Sequence, residues 1–335
     1  MNFAAVARLV LWPFSVLYGS IVRFRAWLYE VGVFKQQRLK RPVISIGNLT
    51  LGGTGKTPMV IWLAEKLSAE GKRVGILSRG YRGDGRTSDE IELMKLRLKG
   101  RAEFGVGKDR YAQGQRLQSS VDVFLLDDGY QHLALARDVN ILLMDAVRPL
   151  GGERLLPAGR LREPVSAMDR ADILVITRTG TSPATEAAIA KLQEYPVFAA
   201  KTKLLGFRKL WTKPEAPVLS PEQLGEGPFF AFCGIGNPAA FRLDLQNWHL
   251  SVVGKAAFAD HHHYSDGEIQ DLLDTAREAG AQALVTTEKD AQNMADVDPV
   301  EMPIYVAIIE MDFPQQEPFL DAIHQRVPSW QQATS

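Results

Sequence analysis

The residues best equipped for chemistry form one contiguous run: Thr50, Leu51, Gly52, Gly53, Thr54, Gly55, Lys56 and Thr57, followed by Pro58. Gly52, Gly53 and Gly55 let the backbone wrap closely, so that successive N–H groups point at phosphate oxygens. Lys56 adds a point charge for the β/γ-phosphates, and the Thr57 hydroxyl is a ligand suited to Mg²⁺. The generic pattern G-x-x-x-x-G-K-[ST] asks for glycine at position 50, where this chain has threonine. Its context is nevertheless the required one. The strand-like run Val43-Ile44-Ser45-Ile46 precedes it, and Val60, Leu63, Ala64 and Leu67 follow on one helical face, with Gly71 as a stop. A strand, a glycine-rich turn and a helix N-terminus together bind a nucleotide's phosphates.

A phosphate loop needs a metal-side partner, and Val121–Leu126 running into Asp127-Asp128-Gly129-Tyr130-Gln131-His132 supplies one. A buried strand ending in acid places a carboxylate beside the loop to hold Mg²⁺ or its waters, which assigns Asp127 and Asp128 to the metal; a structural turn is the alternative. Arginines cluster in two loops. Arg79 and Arg82 follow the strand-like Val74–Leu77, while Arg154, Arg160 and Arg162 share a stretch stiffened by Pro157, Gly159 and Pro164. Each is a candidate for bidentate phosphate contact or a solvated surface charge. His261, His262 and His263 are adjacent, so they cannot all face one metal; one beside the active site, or all three in a solvated turn, fits better. Thr286–Asp290 is not a guanine-specifying N-K-x-D, because its lysine falls one place late, which disfavours GTP. Ser88-Asp89-Glu90 reads as a helix N-cap with acids in the first turn.

The elements that must position these residues alternate. Strand-like runs at 139–145 and 173–176 extend the series, giving an α/β fold with a doubly wound, mostly parallel sheet. The reading is a phosphate-loop core over 42–198, an extended connector over 199–221 and a smaller α/β domain over 222–330. Cys233 is the one cysteine, which excludes an internal disulfide and a cysteine-cluster metal site and suits a reducing compartment. Net charge is zero across 335 residues, so bulk nucleic-acid binding is not indicated. The balance is local, however. Residues 1–41 carry Arg8, Arg23, Arg25, Lys35, Arg38, Lys40 and Arg41 against Glu30 alone. Between Arg8 and Arg23 the residues are uncharged and mostly apolar, with Trp12, Phe14, Tyr18 and an interrupting Pro13. That stretch is short for a spanning helix and lacks a small-residue cleavage site after the apolar run, so it reads as an amphipathic helical segment lying in a membrane interface, with a core-packed N-terminal helix as the alternative.

With these motifs assembled, the sequence resembles the tetraacyldisaccharide 4'-kinase family, the lipid A 4'-kinases of Gram-negative bacteria. The resemblance rests on GNLTLGGTGKTP (47–58), ILSRGY (76–81), LDDGYQH (126–132), RLLPAGRLREP (154–164), FCGIGNP (232–238), FADHHHY (258–264) and LVTTEKDA (284–291), in that order. It implies ATP and Mg²⁺ as cofactors, with phosphoryl transfer to the 4'-hydroxyl of a tetraacylated glucosamine disaccharide 1-phosphate. It further implies peripheral association with the cytoplasmic face of the inner membrane. The family's base aspartate lies in a G-D-E-P-like stretch; Ser88-Asp89-Glu90-Ile91 keeps the acid pair without the glycine and proline. The resemblance therefore assigns the base to Asp89 and its partner to His261, with Lys56 as the catalytic lysine. The rival reading is a membrane-peripheral ATPase that acts as a nucleotide switch for a partner protein, which needs no acceptor base. A kinase for a soluble metabolite would leave the basic, apolar N-terminus unexplained.

Overall fold

A computed structural model describes residues 3–80, 88–146, 149–150, 154–179, 195–213, 216–327 and 330. Arg82 lies outside these residues. The chain divides into two compact units: Met1–Arg86, Arg97–Lys201 and Asp312–Ser335 form the first, and Thr87–Leu96 with Thr202–Met311 form the second.

The first unit is built on seven strands: β1 (Val43–Asn48), β2 (Val74–Ser78), β3 (Ala102–Val106), β4 (Val123–Asp127), β5 (Val139–Asp145), β6 (Ile173–Thr177) and β7 (Val197–Ala199). Their order across the sheet is β3-β2-β4-β1-β5-β6-β7, and adjacent strands run parallel. Every residue of β1, β2, β4 and β6 is buried, as expected of strands covered on both faces. The chain leaves β1 toward β2 on one side, while β5, β6 and β7 build the other side. The carboxyl end of β1 is therefore a topological switch point, where open α/β sheets bind ligands. Helix α2 (Lys56–Ala69) starts there, burying Met59, Val60, Leu63, Ala64 and Leu67.

Ahead of this sheet runs α1 (Phe3–Glu30), continuous through Pro13. Its inward face is small and polar: Ser15 and Gly19 are buried, and the Ser15 hydroxyl donates to the Leu155 carbonyl at 3.1 Å. Its outward face carries Val10, Phe14, Leu17, Ile21 and Phe24 at four- and three-residue steps, with Trp12 and Trp27 beside them, all exposed. That is the reverse of an ordinary amphipathic helix of a globular protein. Among the described residues no helix is long and apolar enough to cross a membrane.

The second unit has a five-stranded sheet ordered β10-β9-β11-β12-β8. Its strands are β8 (Lys201–Lys209), β9 (Phe229–Cys233), β10 (Val252–Ala257), β11 (Ala283–Thr287) and β12 (Ile304–Asp312). The stretch expected as an extended connector thus contains β8, whose residues form the strand next to β12. Helix α3 (Asp89–Leu98) contributes its first turns to this unit although it lies between β2 and β3 in sequence. The remaining elements used below are α4 (Arg110–Leu117) and a short helix over Glu288–Gln292 after β11.

Candidate active site

In the first unit the phosphate loop leaves β1 at Asn48 and enters α2 at Lys56. Gly55 stands at φ +86°, in the left-handed region that only glycine adopts cheaply, and this turns the chain directly into the helix. Gly47 is required for a different reason. A Cβ there would lie 2.7 Å from Cβ of Tyr130, so the loop after β4 could not close over β1. Tyr130 is fully buried and its hydroxyl donates to the Ala167 carbonyl at 2.6 Å. The arginine loop is stitched to the phosphate loop through the backbone: the Leu51 N–H donates to the Arg160 carbonyl and the Arg162 N–H to the Leu49 carbonyl, both at 2.7 Å. The Arg160 guanidinium adds bonds to the Leu51 carbonyl at 2.6 and 3.0 Å, so it fastens the loop. Tyr18 of α1 donates to the Arg162 carbonyl at 2.8 Å, which links the N-terminal helix to the same loop.

Lys56 Nζ donates to Asn48 Oδ1 at 3.3 Å and lies 3.5 Å from Asp128. Arg162 meets both carboxylate oxygens of Asp128 at 2.8 and 2.9 Å. Burial would raise the Asp128 pKa, but Lys56 and Arg162 outweigh it and hold the carboxyl at about 2. Asp127 is buried and accepts from the Ser78 hydroxyl at 2.9 Å. Thr57, Asp127 and Asp128 are hard oxygen donors, the type Mg²⁺ takes in ones and twos beside phosphate oxygens, so this set fits the ion. The same neighbourhood fits phosphate. The buried Thr54 hydroxyl and the Nε of Arg110 have no hydrogen-bond partner. Burial pulls the Arg110 pKa down, as does the charge of Arg79, while Asp128 and Asp127 oppose the fall. Arg110, the first residue of α4, was not singled out from the sequence. Its signal is a basic residue opening the helix that follows β3. Arg79 is exposed directly after β2, and Arg154 is exposed on the arginine loop.

The second unit gathers a different set. Ser88 caps α3: its hydroxyl accepts the Ile91 N–H at 3.4 Å, and Asp89 opens the first turn with its side chain wholly buried. His261 Nδ1 lies 3.0 Å from both oxygens of Asp89. Asn293 Nδ2 donates to Asp89 at 3.2 Å, and Lys289 Nζ is 3.9 Å away. Burial pushes the Asp89 pKa up, but the His261 hydrogen bond and Lys289 more than reverse this and hold it at about 2. The Asp89 hydrogen bond in turn raises the His261 pKa, against burial and the Lys289 charge. His261 itself sits at φ +62°, and its N–H is fixed on the Gly234 carbonyl at 3.1 Å. A non-glycine residue there costs on the order of 1 kcal/mol and is kept where the surroundings over-determine it. The other histidines go elsewhere. His262 bonds to Glu268 at 3.0 Å and stacks on Phe258, and His263 is exposed.

A helix N-terminus after a glycine turn, a lysine and two acids describe a nucleotide kinase core, and the chain matches one family over nearly its whole length. The family model for tetraacyldisaccharide-1-P 4'-kinase (LpxK) covers residues 7–328. This chain belongs to that family. The tetraacyldisaccharide 4'-kinase of Geobacter metallireducens is 40% identical over 331 residues, covering 92% of this chain and 95% of that protein. The Geobacter sulfurreducens enzyme of the same name is 42% identical over 319 residues, or 89% and 87%. Among solved structures, LpxK from Aquifex aeolicus in complex with ATP aligns with a TM-score of 0.71 at 31% identity, covering 96% of this chain and 99% of that one. As a tetraacyldisaccharide-1-P 4'-kinase family member the chain is an ATP-dependent kinase of lipid A biosynthesis, with the α/β phosphate-loop fold expected from its sequence.

Proposed function

We propose that this chain phosphorylates the 4'-hydroxyl of its acylated disaccharide 1-phosphate substrate at the cytoplasmic face of the inner membrane, with Asp89 as the base. The observation that carries the assignment is the buried Asp89 carboxylate, bonded to His261 and Asn293 at the start of a helix. A carboxylate does not stay buried and ionised without a set of donors around it. A sugar hydroxyl is a poor nucleophile, and a positioned base contributes about 10²–10⁴-fold. In the step, the hydroxyl oxygen bonds to the γ-phosphorus as its proton passes to Asp89. The bond from that phosphorus to the β-phosphate bridging oxygen breaks, and ADP leaves with the electron pair. Lys56 and the phosphate-loop N–H groups stabilise the developing charge. Mg²⁺ held by Thr57, Asp127 and Asp128 would neutralise phosphate charge. Arg110 and Arg79 are the arginines best placed for nucleotide phosphates, whereas Arg160 and Arg162 hold the loop and the metal-side acid.

The membrane side of the proposal rests on α1. A row of exposed aromatic and aliphatic side chains, with basic residues on either flank, suits insertion into an interface rather than water. Each nearby Lys or Arg adds roughly 1 kcal/mol of attraction to an anionic leaflet. Because α1 is bonded to the arginine loop, and that loop to the phosphate loop, docking would hold the nucleotide site beside the lipid substrate. The test is γ-labelled ATP with detergent-dispersed acylated disaccharide 1-phosphate, followed by chromatography of the lipid. Label should migrate with the lipid. ATP consumption that ignores the lipid would instead favour the nucleotide-switch reading.

A further inference from the structure

His261 has two ring nitrogens, and the structure shows what faces each. Nδ1 faces Asp89 at 3.0 Å. Nε2 faces Nζ of Lys289 at 3.3 Å. Lys289 is itself anchored: Nζ donates to Asp260 at 2.9 Å and lies 3.6 Å from Glu90. An ammonium has three donors and no acceptor, so a nitrogen that bonds to it must accept. In the neutral ring this contact makes Nε2 the acceptor and puts the imidazole's one proton on Nδ1, aimed at Asp89.

We propose that Lys289 is a positioning residue for the Asp89–His261 pair: by donating to Nε2 it favours, against the pull of Asp89, the neutral Nδ1–H form of His261 that donates to Asp89. The inference rests on the reading of Asp89 as the base. A neutral imidazole fixed this way orients the carboxylate toward the acceptor hydroxyl without handing it a proton. An imidazolium would set an N–H against the Lys289 ammonium and would oppose proton uptake by its partner acid. Asp89 favours that imidazolium and its pull prevails over the other neighbours, and Lys289 is the charge that limits the shift. The charged groups facing the ring are Asp89 and Glu90 from α3, Asp260 from its own turn and Lys289 from the helix after β11. Burial would lower the Lys289 pKa, but Glu90, Asp89 and Asp260 outweigh it, so the lysine stays charged. This explains a lysine placed among three carboxylates beside a base that needs none of its protons.

The test is Lys289→Met in the full-length protein, with lipid-kinase rates measured from pH 5 to 9. Removing the cation stabilises the imidazolium, so the acid limb of kcat should move up by about one pH unit. At neutral pH kcat should fall about tenfold, with KM for ATP unchanged within about twofold. Lys289→Arg, which keeps the charge and the donors, should return the limb toward its original position. A fall in kcat with an unmoved limb would overturn the proposal, because a merely structural lysine leaves the profile in place. Asp89→Asn separates the two readings. If that variant is inactive while the Lys289→Met limb stays put, only the lysine assignment fails; if it is nearly as active as the parent, both fail. Nitrogen-15 NMR of the imidazoles in the unaltered protein, with His261 assigned by its Gln variant, reads the tautomer directly. An Nε2–H form would also overturn the proposal.

Discussion

Replacing Asp89 with asparagine changes one oxygen to an amide and leaves the volume nearly as it was. Two separate magnitudes follow. The first is chemical. Losing a positioned base removes about 10²–10⁴ from kcat, or about 3–5 kcal/mol of transition-state stabilisation at 1.36 kcal/mol per decade. Binding of ATP should survive, because Gly55, Lys56, Asp128 and Arg162 make their contacts within the first unit. The second is structural. The Asp89 side chain is wholly buried, and its pKa is held at about 2 against an ordinary 3.8. At 1.36 kcal/mol per pH unit, ionised Asp89 contributes about 2 kcal/mol to folding. The folded-state pKa is depressed, so this contribution is present above the ordinary carboxylate range and is lost as pH falls from about 4 toward 2. The assay has two arms: steady-state kinetics on detergent-dispersed lipid, and urea midpoints at pH 7 and pH 2.5. The variant should lose kcat by at least a hundredfold with KM for ATP unchanged, and be less stable at pH 7, with the gap closing at pH 2.5. A kcat within about tenfold of the parent would refute the base assignment. Equal urea midpoints at pH 7 would refute the electrostatic account of the buried carboxylate.

Three further outcomes test other parts of the structure. Gly55→Ala forces a Cβ into the left-handed region at φ +86°, which costs about 1 kcal/mol and misdirects the start of α2; KM for ATP should rise several-fold, and an unaltered KM would mean that the turn is not strained. Phe14→Asp combined with Ile21→Asp puts charge on the outward face of α1; co-sedimentation with anionic vesicles should drop about tenfold while kcat on detergent-dispersed substrate holds, and undiminished sedimentation would move the membrane contact elsewhere. Tyr130→Phe removes the hydroxyl that bonds to the Ala167 carbonyl and leaves that buried oxygen short of a donor; thermal unfolding should show a loss of about 1 kcal/mol.

The phosphate loop, the acid strand and the parallel sheet were legible because their information is contiguous. A glycine turn needs its glycines side by side, and a strand buried on both faces declares itself as an apolar run. β3 and β8 escaped because they alternate or lie half exposed, with Glu103 and Lys203 among their residues. For the arginines, charge and loop position leave phosphate contact and solvated surface charge as alternatives. Charge does not say that Arg160 turns to a backbone carbonyl and Arg162 to Asp128, because those partners are fixed by how two loops pack.

Asp89 shows why local grammar and chemistry are hard to separate. Its place after Ser88 is what any helix N-terminus prefers, since free N–H groups and the helix dipole favour negative charge there. That preference is also what a buried base needs, because it helps keep the carboxylate ionised away from water. With Asp89 as the proposed base, one residue serves both demands, and a local reading of its surroundings returns only the first. The second appears when α3 joins residues 202–311 in one compact unit and the acid meets His261, Asn293 and Lys289. Lys289 follows the same logic more strongly. In sequence it is the first-turn lysine of a short helix, and only its contacts with Asp260, Glu90, Asp89 and Nε2 of His261 distinguish it from a solvated charge. The residues proposed to bind phosphate are therefore written in consecutive positions, whereas those proposed to control the proton are assembled from three separate stretches of the chain.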